Sequence, residues 1–293
     1  MKTGNSVKMF VLLLLTNIAM MAVCFAQPSA NNKGTLKSSG YAPVNGINVY
    51  YEVHGEGKPL VLLHGAYMTI NLNWAQLIPE LAKTRKVIAL EMQGHWHTAY
   101  SDRAMTFPAM AADVAGVMKY LKIDSADIVG YSFGGTIAYQ LVIQNPELVK
   151  KLIIISSTYK SDGWQQEVRN AFNMMRPEFF DATPLRAEYN KVAPDSSNWH
   201  KFVGKMIELT KTSFDLGDDN VKKIKSPVLI ICGDNDGIDK TMLMNTYKML
   251  GGTVVADMVG VPKSQLAIIA GKSHVTLMMD TSDILSNINS FLK

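Results

Sequence analysis

The sequence predicts an α/β protein with a mostly parallel central sheet, helices on both faces and a helical cap insertion. Two patterns carry that reading. Short continuous apolar runs recur at 60–63, 87–90, 152–155, 228–231 and 266–269, each suited to a strand buried on both faces, and a β-branched run at 126–129 adds another strand. Helix-period segments fall between them, and strands alternating with helices imply right-handed crossovers in one sheet. One stretch breaks the alternation. Residues 158–225 hold helical patterns but no strand, so they are read as a cap over the strand ends, where ligands bind open α/β sheets.

Taken in order, residues 47–53 read as the first strand, turned by Gly55-Glu56-Gly57 into 60–63. A helix is expected over 74–82 and a strand over 87–90. Thr106 is an N-cap for a helix running to 121, with Pro108 in its first turn. After the strand at 126–129 a helix runs to Gln144 and stops at Asn145-Pro146. Helices at 240–250 and 283–292 complete the set. In the cap, Phe172, Met175 and Phe179 fall on one helical face, and Trp164, Trp199 and Phe202 add aromatic bulk; packing against the core is their default role.

The chain ends are read separately. Lys2 and Lys8 precede an apolar stretch at 9–25 that closes on Cys24-Phe25-Ala26, the pattern of a secretory signal peptide over 1–26. An uncleaved anchor or a lipoprotein site at Cys24 are the weaker alternatives. Cleavage would leave Cys232 alone, without a disulfide partner, in a secreted or periplasmic compartment. Residues 27–45 read as a flexible lead-in, polar and aperiodic over 31–39 (NNKGTLKSS), and 46–293 as the main domain. A formal net charge of +4, half of it from the leader's two lysines, predicts no nucleic-acid binding and, after cleavage, no membrane attraction.

The chemistry is concentrated at Gly130-Tyr131-Ser132-Phe133-Gly134, a G-x-S-x-G with a strand before it and a helix after it. A serine raised on such a turn takes a backbone conformation costing about 1–3 kcal/mol. Its neighbours two residues away must lack Cβ so that strand and helix can cross closely. A serine hydroxyl is a poor nucleophile without a base that is itself oriented by a third group. Two later strand ends supply them. Gly233-Asp234-Asn235-Asp236 follows the strand at 228–232, and Gly271-Lys272-Ser273-His274 follows the strand ending at Ile269. Asp236, farther out on its loop, is the candidate acid; Asp234 is expected to cap the turn, and Asp162 is an outside candidate. His274 is the candidate base. Oxyanion donors are the backbone N–H of Phe133 and of Ala66, in His64-Gly65-Ala66-Tyr67 after the strand at 60–63. His64 is expected to brace that loop and Glu91 to bond local backbone, with His54 in a turn and His200 on the cap surface. His95 and His97 form an H-x-H pair, but no nearby set completes three or four metal ligands, and no metal or organic cofactor is assigned.

Six segments carry a resemblance to the α/β-hydrolase superfamily: VLLHGAYM (61–68), ALEMQGHWHTAYSDR (89–103), ADIVGYSFGG (126–135), NPELVKKLIIIS (145–156), SPVLIICGDND (226–236) and AGKSH (270–274). The likeness is to bacterial serine hydrolases of the 3-oxoadipate enol-lactonase-like and haloperoxidase-like esterase group. It implies Ser132, Asp236 and His274 as nucleophile, acid and base, with Ala66 and Phe133 as the oxyanion hole. The expected activity is hydrolysis of a small-molecule carboxylic ester or lactone. Acyl transfer, perhydrolysis, amide or carbon–carbon hydrolysis by the same machinery, and a non-catalytic binding protein, are the alternatives. Two positions depart from the family: Glu91 stands where Asp is usual, and Trp96 where glycine is usual. A tryptophan takes positive φ only at a cost, so the loop around it is expected to be rearranged.

Overall fold

The computed structural model describes residues 35–293; the leader at 1–26 and the start of the lead-in lie outside the described residues. Eight strands form one sheet: β1 (Leu36–Val44), β2 (Ile47–His54), β3 (Lys58–Leu63), β4 (Arg85–Glu91), β5 (Ala126–Tyr131), β6 (Val149–Ile155), β7 (Val228–Gly233) and β8 (Gln265–Ile269). Their order is β1-β2-β4-β3-β5-β6-β7-β8. β1–β2 and β2–β4 pair antiparallel and every other pair is parallel. The chain leaves β3 toward β4 on one side and returns to β5 on the other. That reversal opens a crevice beyond the carboxyl ends of β3 and β5, the place where open α/β sheets bind ligands.

The apolar runs bury as their lack of polar alternation requires. Leu60, Val61, Leu62, Leu63, Ile128, Val129, Leu152 and Ile153 have no exposed surface. The helix Phe133–Gln144 packs on β5 and β6, Phe107–Tyr120 packs on it and on β1, and Ser282–Leu292 covers β7. Thr106 caps Phe107–Tyr120 as expected, its Oγ1 accepting from Ala109 N at 3.2 Å.

Four expectations need correction. The lead-in assigned to 27–45 contains β1, because Asn45 (φ 46°) and Gly46 (φ 81°) make the tight positive-φ turn of a two-residue hairpin. β1 escaped notice as an edge strand that buries only Ala42 and Val44. β8 is no buried strand either: it is the opposite edge, and Ile268 is 46% exposed. The helix read over 74–82 is two short ones, Ile70–Trp74 and Ile78–Leu81. Thr69 caps the first, accepting from Leu72 N at 2.8 Å, and Pro79, lacking an N–H, restarts the second. His54 lies in β2, not in a turn, and is buried, with its Nε2 3.0 Å from Glu52 Oε2.

Over the strand ends sit Gln166–Met174, Pro184–Val192 and Trp199–Lys211, joined by single 3-10 turns. The following helix, Asp218–Lys222, packs back on Phe133–Gln144 and Lys240–Met249. Among the described residues no helix is long and apolar enough to cross a membrane.

Candidate active site

Ser132 ends β5 at φ 51° and ψ −118°, a conformation L-residues rarely hold. Its amide is pinned to Ile155 O at 2.9 Å, and its carbonyl accepts from Gly135 N at 2.9 Å and Ser157 Oγ at 2.6 Å. The flanking glycines are obligatory. A Cβ on Gly130 would stand 2.3 Å from Gly134 O, and one on Gly134 would stand 2.1 Å from Leu63 O. β5, the helix after it and β3 therefore meet at backbone contact, and the turn presents Ser132 to the crevice.

Three strand ends converge there. His274 Nε2 lies 3.0 Å from Ser132 Oγ, and His274 Nδ1 lies 3.0 Å from Asp236 Oδ1. The loop carrying His274 is held by Ser273 N donating to Thr276 Oγ1 at 2.8 Å and Thr276 N returning to Ser273 Oγ at 3.2 Å. Asp236 is fully buried and also accepts from Ile238 N at 3.2 Å. Burial pushes its carboxyl up, but the His274 charge, hydrogen bonds from His274 and Ser156, and the Lys240 charge outweigh it and hold the carboxyl below the usual range. Asp236 Oδ2 and Ser156 Oγ are both buried without a partner of good hydrogen-bond geometry. They are close enough, however, for the hydroxyl to favour the ionised acid. Ser156 itself sits at φ 49°, at the end of β6.

Sequence reasoning missed the two rings that fix the imidazole plane. Tyr131 stacks on His274 with centroids 5.2 Å apart, and its hydroxyl donates to His274 O at 2.9 Å. Trp164 meets the imidazole edge-on at 5.4 Å, from a segment bridged to Ile238. Tyr131 had a local signal, as the residue before the nucleophile; Trp164 had none.

The loop after β3 leaves one amide spare by elimination. Gly65 N donates to Asn73 Oδ1 at 2.7 Å, Tyr67 N to His95 Nε2 at 3.3 Å and Met68 N to Gly65 O at 3.2 Å. Among the described residues no acceptor takes the N–H of Ala66 or of Phe133, and both residues line the cavity over Ser132. His64 braces the loop as expected: Nδ1 faces Gly65 O at 2.8 Å and Nε2 accepts from Met92 N at 3.1 Å. Burial lowers the pKa of both His64 and His95, so each is a neutral hydrogen-bonding ring.

The remaining titratable groups take other partners. Asp234 accepts from Lys272 N at 3.1 Å, tying its turn to the loop that carries His274, and Asp162, on the cavity wall, pairs with Arg169 at 3.3 Å rather than with His274. His97 turns away from His95: its Nδ1 is 2.8 Å from Glu91 Oε2, and its ring stacks on Tyr50. Glu91 also accepts from Ile70 N and His97 N. His200 lies on the cap beside Asp181 at 2.7 Å. Among the described residues no group of three or more His, Cys, Asp or Glu is arranged for a metal.

Trp96 corrects the expected rearrangement. It takes the positive φ itself, at 38°, and is 1% exposed against Tyr189, Phe202 and His95. Strain of about 1–3 kcal/mol is offset by burying so large a ring. Phe179 is also corrected. The cap helix stops at Met174, so Phe179 falls in the next turn and is exposed, whereas Phe172 and Met175 line the cavity. That cavity is about 570 Å³, with Trp164, Phe172, Met175, Met206 and Leu209 among its walls. A hydroxyl with a base at hydrogen-bond distance, an acid behind the base and two spare amides beside it is the equipment for attack on a carbonyl.

Comparison with known proteins agrees with the geometry. Residues 58–213 match the family model of the alpha/beta hydrolase fold. The chain is 38% identical over 115 residues to 2-hydroxymuconate semialdehyde hydrolase of Pseudomonas sp. (strain CF600), covering 38% of this chain and 41% of that protein. It thus spans about two fifths of the length of that curated relative. Among solved structures, a membrane phospholipase A described as a bacterial virulence factor superposes with a TM-score of 0.74 at 18% identity, over 100% of this chain and 98% of that one. The enol-lactonase of Burkholderia xenovorans LB400 superposes with a TM-score of 0.64 at 19% identity, over 86% and 99%. With the strained serine turn, the strand order and the matched segment all in agreement, the chain belongs to the α/β-hydrolase fold family.

Proposed function

We propose that this protein is an exported serine hydrolase that cleaves a small-molecule carboxylic ester or lactone through an acyl-enzyme. One observation carries the reading: the unbroken relay from Ser132 Oγ through His274 to Asp236, two contacts of 3.0 Å each. His274 Nε2 takes the Ser132 proton as the serine oxygen bonds to the substrate carbonyl carbon. The Ala66 and Phe133 N–H groups hold the resulting oxyanion. The tetrahedral intermediate collapses as His274 returns the proton to the leaving alkoxide, and water, activated by the same imidazole, then releases the acid. Asp236 keeps Nδ1 protonated and stabilises the imidazolium. No cofactor enters the cycle, and the apolar walls favour a hydrophobic acyl or alcohol group.

The test is turnover of p-nitrophenyl butyrate by the wild type and by Ser132→Ala. The variant is expected to lose about 10⁶-fold in kcat; an equal rate in both would overturn the assignment. A fluorophosphonate should label the wild type at Ser132, and a protein that stays unlabelled is a binding module instead. A second reading rests on the relative named 2-hydroxymuconate semialdehyde hydrolase. On that reading the same serine attacks a carbonyl of the semialdehyde and a carbon–carbon bond breaks. Consumption of that semialdehyde without turnover of any ester would favour it. Export rests on Lys2, Lys8 and the apolar run at 9–25. N-terminal sequencing of the secreted product should begin at Gln27, and an intact Met1 would count against it.

A further inference from the structure

A row of aromatic rings leads away from the oxyanion side of the cavity. Phe133 lies 6.1 Å from Phe107, centroid to centroid, and Phe107 lies 4.7 Å from Phe214. Phe107, Phe214 and Leu209 line the cavity over Ser132 and also a separate groove of about 430 Å³. These three side chains are therefore the partition between the two spaces. The groove continues with Ala104, Met105 and Pro108, and carries Asp102, Lys205 and Glu208 as its charged groups. Its two walls are tied together: Lys205 Nζ, on the helix Trp199–Lys211, donates to Ser101 O at 2.9 Å and Arg103 O at 3.0 Å. The groove is a fixed feature of the fold.

The members of the partition differ in freedom. Phe107 is buried at the start of its helix, whereas Phe214 is half-buried on the loop after the cap helix Trp199–Lys211. The main chain of Phe214 is clamped, its N donating to Ser161 Oγ at 2.8 Å and its O accepting from Ser161 N at 2.9 Å. Only its side chain is left to turn, a motion that exposed and half-exposed side chains make readily. Anything crossing the partition meets three apolar side chains. A charged or hydrogen-bonding segment would lose its solvation there, and an alkyl chain loses nothing.

We propose that the groove is a second subsite, for the distal part of a long acyl chain, and that Phe214 is the specificity-determining residue that closes or admits it. The proposal rests on the ester-hydrolase reading and narrows it to hydrophobic acyl esters. The probes are p-nitrophenyl butyrate and p-nitrophenyl dodecanoate, and the readout is the ratio of their kcat/KM values. Each methylene that reaches apolar surface is worth about fourfold. Phe214→Ala should therefore raise the dodecanoate-to-butyrate ratio by at least about tenfold; the ratio is the readout because Phe214 also lines the main cavity, so its removal changes the butyrate rate as well. Phe214→Leu is the companion if the alanine variant is poorly folded by circular dichroism. Thr212→Trp fills the groove from a residue that does not line the main cavity, and should lower the ratio by about fivefold or more without changing butyrate turnover. Ratios that stay at the wild-type value in the folded Phe214 variant and in Thr212→Trp, with butyrate still cleaved, overturn the subsite. A wild type that cleaves neither ester removes the hydrolase reading itself.

Discussion

The sheet rim and the cap are built to different standards. At the rim, β3, β5 and β6 have no exposed side chain along their centres, and the turn after β5 has no room for a single added carbon at Gly130 or Gly134. In the cap, Gln166–Met174 buries only Ala171, and Pro184–Val192 only Leu185 and Tyr189. What joins the cap to the rim is an aromatic cluster. Tyr67 meets Phe180 at 4.6 Å, Tyr189 stacks on Phe202 at 5.7 Å, and Phe202 meets His95 at 4.7 Å. A close-packed rim holds reacting groups to tenths of an ångström, and a thin amphipathic cover can be rebuilt without disturbing them. On the proposed function, the chemistry would fall to the first region and substrate selection largely to the second.

Substitutions can break that contrast. At the rim, Asp236→Asn should lower kcat by about 10⁴-fold, because the amide holds the imidazole in the wrong tautomer. KM should move little, and a loss below about tenfold would remove Asp236 from the relay. Gly134→Ala should cost about 4 kcal/mol or more in denaturant unfolding, since its Cβ has only main chain to displace. A variant of wild-type stability would show the elbow to be less crowded than described. In the cap, Phe202→Ala should cost about 3 kcal/mol through the cavity it leaves. It should raise KM more than it lowers kcat; the reverse pattern would mean that the cap acts on the chemistry itself.

The smallest effect is a pH dependence at the junction of the two regions. Burial lowers the pKa of His64 and His95 from the ordinary 6.5, and for His95 the neighbouring His64 adds to it. Both rings are neutral when folded and take up protons on unfolding. Their contribution is complete above about pH 6.5 and is lost as the pH falls toward their folded values. His97 has the opposite sign. Burial lowers its pKa, but the Glu91 hydrogen bond and charge raise it above 6.5, so its contribution is lost as pH rises. The melting temperature should therefore fall between about pH 7 and pH 5, and His95→Gln should flatten that slope. An unchanged slope in the variant would locate the proton uptake elsewhere.

The rim was far more legible in the chain than the cap. Ser132, Asp236 and His274 each follow a short apolar or β-branched run, and a parallel strand leaves that mark in the local sequence. β1 is hard to read because an edge strand commits few side chains to a core, so its pattern stays mixed; β8 carries the apolar run of a buried strand, and only the strand order puts it at the opposite edge. Trp164 could not be assigned to His274, 110 positions later in the chain, because no local rule pairs residues that distant. Trp96 was misjudged for the same reason. Its local strain was readable, but the rings that compensate it come from the cap.

By itself the chain determined the strand-and-helix alternation, the strained serine turn and the order in which Ser132, Asp236 and His274 follow their strands. These are local matters of periodicity, missing Cβ atoms and side-chain chemistry. Only the tertiary structure decided that Ala66, of the amides at 65–68, keeps an unused N–H, that Tyr131 and Trp164 clasp the imidazole, and that three apolar side chains divide the cavity from the groove. Each depends on which distant groups occupy the neighbouring space, and that is a property of packing.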